Sequence, residues 1–117
     1  TSPDSKLKVS GGAAVGADAQ VNATTTIDFA TSNMQYTASN CGSFDLHNLK
    51  NGGSYTFAVQ GTTSGTCSFS AYSDAGTTSL TVHLPSGHAA TQAGEHTLYS
   101  IIVMGTHAYF AWVTEFD

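Results

Sequence analysis

The chain has 117 residues and a mass of 12.1 kDa, which suits a single domain. Charged residues are only 9% of it, with three Lys, no Arg and a net charge of −5. That lacks the cationic footprint needed to hold a phosphate backbone, so nucleic acid and acidic membrane surfaces are poor partners. The longest apolar run, Ile101 to Met104, falls far short of the roughly 20 residues that cross a bilayer as a helix.

In place of charges the chain carries 17 Thr and 14 Ser, which predicts a surface covered by hydroxyl groups. No signal peptide is visible at Thr1, so the chain reads as a mature protein or an excised C-terminal piece. Residues 1–20 contain a tract of small residues (Gly11, Gly12, Ala13, Ala14, Gly16, Ala17, Ala19) that offers little to bury. They read as a linker or the end of an upstream fibre stalk, and residues 21–117 as the folded domain. From Val21 to Phe29, Val, Ala, Thr, Ile and Phe alternate with polar residues and predict one long strand.

The same period of two continues through Phe44 and Leu46, through Tyr55, Phe57 and Val59, through Cys67, Phe69 and Ala71, and through Leu80, Val82 and Leu84. Between these runs lie the turn signals Ala30 to Asn33, Asn51-Gly52-Gly53, Gly61 to Thr66, Asp74-Ala75-Gly76 and Pro85-Ser86-Gly87. Only Ala89 to Glu95 is open to a turn of helix. The last two strands, Leu98 to Met104 and Ala108 to Val113 about the turn at Gly105, are apolar on both faces. A ribbon of that kind must be covered on both sides, which predicts self-association. The alternative is a central pair covered by loops. The fold expected is all-β, an antiparallel β-sandwich of about eight strands assembling as a homotrimer. The trimer interface candidates are Leu98, Ile101, Val103, His107, Tyr109 and Trp112.

Cys41 and Cys67 are the only cysteines, and a disulfide is favoured over two free core thiols because so hydroxyl-rich and charge-poor a chain resembles exported proteins. It would close a loop of about 26 residues and contribute roughly 3 kcal/mol in the chain-entropy model. The five histidines, His47, His83, His88, His96 and His107, lack any spacing that places two on one strand face, and no CxxC or HExxH occurs. No metal site or cofactor is expected, although a trimer could gather three copies of His107 at its axis. No nucleophile elbow, phosphate loop or dinucleotide fingerprint is present and no carboxylate pair stands out, so catalysis is not expected.

The runs Thr26-Ile27-Asp28-Phe29, Asn33-Met34-Gln35-Tyr36, Phe44 to Leu49 and Gly53 to Gln60 resemble a β-domain found at the ends of phage tail fibres. The continuation Gly61 to Phe69, with Gly105 before Tyr109-Phe110-Ala111-Trp112, is similar to the fibre-tip domains of chimeric trimeric adhesive fibres of Bdellovibrio. The resemblance spans about Thr24 to Val113. It implies a non-catalytic homotrimer at the end of an extracellular or cell-surface fibre, recognising a surface glycan or polymer of another cell. It carries no binding residues over to this chain. A structural trimerisation cap with no ligand is the alternative, and a small secreted hydrolase a third.

If strands run up and down from a stalk, the turns at Ala30 to Ser32, Asn48 to Gly53, Asp74 to Thr78 and Gly105 share the free end. A shallow sugar site needs an aromatic plate with amides and acceptors beside it. The candidates are Tyr36, Tyr72 and Tyr99 as plates, with Asp45, His47, Asn48, Asn51 and Asp74 around the turns.

Overall fold

Alternation at period two makes each strand bury one face, and the burial follows it residue by residue: β5 (Ser54–Val59) buries Tyr55, Phe57 and Val59 and turns Ser54, Thr56 and Ala58 outward. The computed structural model describes residues 20–21 and 25–116, and the regular structure among them is entirely β. The other strands are β1 (Gln20–Val21), β2 (Thr26–Asp28), β3 (Met34–Thr37), β4 (Ser43–His47), β6 (Ser68–Tyr72), β7 (Ser79–His83), β8 (His96–Met104) and β9 (His107–Phe116). Residues 1–19, where the linker is expected, lie outside those described, and Gln20 already belongs to β1.

All nine strands join one sheet in the order β1-β3-β5-β8-β9-β7-β6-β4-β2. Odd strands β1, β3 and β5 stack in parallel along one arm, and even strands β2, β4 and β6 stack in parallel along the other. The chain therefore winds back and forth between the arms like a flattened coil. The antiparallel ribbon β8–β9 then closes one end, bonded to β5 on one side and to β7 on the other.

This corrects the expected antiparallel sandwich. Five of the eight pairings are parallel, because consecutive strands alternate in direction and in these five the partner is the strand two places on. The expected single strand Val21–Phe29 is also replaced by β1 and β2, which sit at the two opposite edges of the sheet. Uniform alternation cannot distinguish one long strand from two short ones in different arms.

The arms face each other across one core. Phe44 of β4 meets Phe57 of β5 edge-on, with ring centroids 5.2 Å apart. Phe69 of β6 touches Phe57, Tyr99 and Phe110, the last two on the closing ribbon. Ile27, Leu46, Leu49, Ile101 and Val103 complete the interior.

The ends of the strands carry two sets of loops. At one end lie the turns 29–33, 48–53, 73–78 and 105–106, which the parallel and antiparallel registers bring together as expected. At the other end, Cys41 and Cys67 form the expected disulfide. Nearby, the 61–66 loop is fastened to the 84–95 loop: Gly65 N–H donates to Thr91 Oγ1, Thr91 N–H to Gly65 O, and Gly94 N–H to Thr62 O. That fastening leaves residues 89–95 non-helical.

Candidate functional site

The outward residues of the even arm form a polar ladder. Parallel register sets Thr26 beside Asp45 and Asp28 beside His47, then Ser43 beside Ser68 and Asp45 beside Ser70. The His47 ring stands perpendicular on Tyr72 with centroids 5.4 Å apart. Gly76 in the next turn faces that ring, where a Cβ would lie 3.2 Å from it in a backbone with φ of 116°. A side chain there would be strained and would crowd the imidazole.

Two residues hold the loops beside this ladder. Asn48, at φ 62°, donates through Nδ2 to Asp28 Oδ1 (2.8 Å) and through its N–H to the carbonyl of Asp74. Asp74 Oδ1 accepts the N–H groups of Gly76, Thr77 and Thr78, and its Oδ2 accepts the Thr77 hydroxyl at 2.6 Å. The Thr77 hydroxyl and the backbone donors hold the Asp74 carboxyl well below the usual carboxylate range. Asp28 is lowered too, first by the Ala30 N–H and then by the Asn48 amide. Lys50 Nζ donates to the Ser73 carbonyl and ties the same two loops.

Asp45, His47, Asn48, Tyr72 and Asp74 are thus gathered at one side of the even arm. Asn48 and Asp74 spend their polar atoms on the loops, so the groups left facing outward are Asp45, His47 and Tyr72 with the hydroxyls of Ser43, Ser68 and Ser70. The other three candidates lie elsewhere. Tyr99 is fully buried between Phe69 and Phe110, and its hydroxyl lies 2.7 Å from His88 Nε2. It faces the core with Ile101 and Val103, so it is no plate, and burial raises its phenol above the ordinary value. Tyr36 faces outward on the opposite arm beside Ala58. Asn51 accepts the Gly105 N–H at 2.8 Å and stitches its turn to the β8–β9 turn.

The second surface is the outer face of the closing ribbon. Leu98, Ile102 and Met104 of β8 pair with Val113, Tyr109 and His107 of β9, all turned away from the core. Met104 is 62% exposed and Val113 51%. Of the six interface candidates, Leu98, His107 and Tyr109 lie on this face. Ile101 and Val103 are fully buried in the chain's own core, and Trp112 is turned inward beneath His88 (ring centroids 5.0 Å), so none of these three is available to a sister chain. The period of two divides the ribbon this way.

Periodicity alone gives no sign that Asp28 stands beside His47 on this arm, because strand register brings the two together. Among the described residues no group of three His, Cys, Asp or Glu side chains converges on a metal position, and no helix is long and apolar enough to cross a membrane. A pocket of about 190 Å³ between Ala58, His96, Leu98 and Phe116 is smaller than the roughly 300 Å³ at which small-molecule sites begin. Compared with known proteins, the chain matches no family model, no curated protein and no solved structure.

Proposed function

We propose that this domain is a non-catalytic adhesion module at the end of an extracellular fibre, assembling as a homotrimer and meeting a glycan or other polymer on the surface of another cell. The observation that carries this reading is the division of one curled sheet into a polar outer face and an apolar one. The apolar face, with Ile102, Met104, Tyr109 and Val113, is the surface that sister chains cover, since contiguous exposed apolar patches mark association sites. The polar ladder of Asp45, His47 and Tyr72 provides acceptors, a donor and ring faces to a hydroxylated polymer. The disulfide is compatible with an oxidising, extracellular setting.

Light scattering tests the assembly. A mass three times 12.1 kDa is expected, falling to that of one chain in the double variant Ile102→Ser, Val113→Ser. A monodisperse single chain at micromolar concentration overturns the trimer. Binding is tested with the double variant His47→Ala, Tyr72→Ala, which is expected to keep its assembly and lose attachment to target cells and to a glycan array.

The second reading is a structural cap that registers a fibre and binds nothing. It is favoured by the internal use of Asn48 and Asp74, and unchanged attachment in the His47→Ala, Tyr72→Ala variant would select it.

A further inference from the structure

The last strand carries a bulge near its end. Val113 pairs with Leu98 and Phe116 with His96, so Thr114 and Glu115 of β9 together face the single residue Thr97 of β8. Glu115 holds φ at 71°, a left-handed backbone that residues other than glycine rarely adopt. The extra residue decides where Phe116 points. In an unbroken ladder the alternation from Val113 would carry Glu115 outward and Phe116 inward, whereas the bulge sets Phe116 opposite His96 on the outer face, 44% exposed.

That turn brings an aromatic ring to a hollow. Across the outer face, the register lines up Tyr36, Ala58, Leu98 and Val113 on four neighbouring strands. Ala58 is a single methyl between larger side chains, and it floors the pocket of about 190 Å³ whose other walls include Leu98, Phe116, Gln60 and His96. Gln60 and His96 are both exposed. The hollow therefore combines an apolar floor and one aromatic wall with an amide and an imidazole. Bulges and left-handed backbone at residues other than glycine gather where a side chain is re-aimed for a function.

We propose that this pocket binds one neutral hexopyranose ring, an inference that rests on the adhesion reading for its ligand class and not for its site. A pyranose has a face of C–H groups and an edge of hydroxyls. The face fits against Phe116 over Ala58 and Leu98, and the edge meets His96 and Gln60, whose amide both donates and accepts. None of the lining side chains is an acid or a lysine, so a charged sugar would shed water there without gaining a partner. The volume excludes a drug-sized molecule and suits one ring of a polymer whose other residues stay in water. His96 lies six residues along β8 from Ile102, about 20 Å away. Of the apolar face assigned to sister chains, only Val113 borders the pocket, through its pairing with Leu98.

The test is titration of the whole chain with the methyl glycosides of glucose, galactose, mannose and N-acetylglucosamine, followed by NMR. In the unaltered chain at least one of them should shift the His96 imidazole and Phe116 ring signals first, with half-saturation in the millimolar range that a single small ring allows, while His47 and Tyr72 stay in place. Ala58→Leu fills the floor from the outer face, and it and Phe116→Ala should each weaken binding about tenfold or more. Gln60→Ala and His96→Ala should each cost about two- to tenfold, the net worth of one hydrogen bond. Methyl glucuronide should bind about tenfold more weakly than the glucoside, and equal affinity overturns the preference for a neutral ring. Shifts that begin at His47 or Tyr72, full affinity in Ala58→Leu and Phe116→Ala, or no shift with any of the four sugars overturns the pocket. So does a Phe116→Ala chain that changes its mass in solution and still takes sugar at full affinity, since the hollow then belongs to a sister chain. Failure of the adhesion reading looks different: sugar shifts at His96 in a chain that attaches to no cell.

Discussion

The even arm and the closing ribbon belong to one sheet and share one core, yet their outer faces differ in kind. On the even arm, outward positions are Thr26, Ser43, Asp45, His47, Ser68 and Ser70, all of them polar. On the ribbon, the equivalent positions include Leu98, Ile102, Met104, Tyr109 and Val113, interrupted by Ser100, His107 and Ala111. A strand buried on one face needs only one apolar set, so the second set on the ribbon is surplus to the fold of a single chain. The contrast teaches that the face that stabilises the single chain and the face proposed for association are opposite faces of the same strands and can be altered separately.

The largest expected effect comes from the shared inner face. Phe57 is fully buried against Phe44 and Phe69. Phe57→Ala should cost about 3–5 kcal/mol in urea unfolding. By contrast, Ile102→Ser on the outer face should move the unfolding of the single chain by less than about 0.5 kcal/mol while abolishing association. A large loss from Ile102→Ser in a chain already monomeric would remove the distinction between the faces.

The disulfide comes next. Reducing Cys41–Cys67, or replacing both residues by Ser, should lower stability by about 3 kcal/mol, because it closes a 26-residue span. Thermal unfolding with and without reductant measures it. Gly61→Ala should be smaller, about 1–3 kcal/mol. A Cβ at Gly61 would run into the backbone of Ser39 and Asn40, which cannot give way as a side-chain tip could.

The smallest effect is a pH dependence at the ribbon's inner margin. Burial lowers the His88 imidazole below its ordinary value. As pH falls below about 6.5, the unfolded chain therefore takes up this proton before the folded one does. The stability that His88 contributes is full above that pH and lost progressively down to its lower folded value. The urea midpoint should drop between pH 7.5 and 5, and His88→Asn should flatten its share of the slope. Trp112, the only tryptophan, reports the same event by fluorescence because His88 stands against it.

Much of this architecture is written in local pattern. The alternation through Tyr55, Phe57 and Val59 identifies both the strand and its inner face. The even distribution of apolar residues through Leu98 to Met104 marks the ribbon as apolar on both sides. The grouping of the turns at Ala30, Asn48, Asp74 and Gly105 follows from strands that alternate in direction. Tyr99 shows where the pattern stops: its inward orientation depends on which parity of β8 meets the core, and in a strand apolar at both parities nothing local chooses between them.

Composition and periodicity were enough to establish an all-β chain with a hydroxyl-rich exterior, a paired Cys41 and Cys67, and a final ribbon with more apolar surface than one strand face can use. These are properties of single strands and short spans, set by side-chain alternation and backbone preference. Which strands became neighbours, and hence the parallel coil, the Asp28–His47–Tyr72 ladder and the outward turn of Phe116, emerged from the folded chain alone. Pairing between strands is a long-range choice made by the fit of whole inner faces around a common core, and residues many positions apart carry no local sign of it.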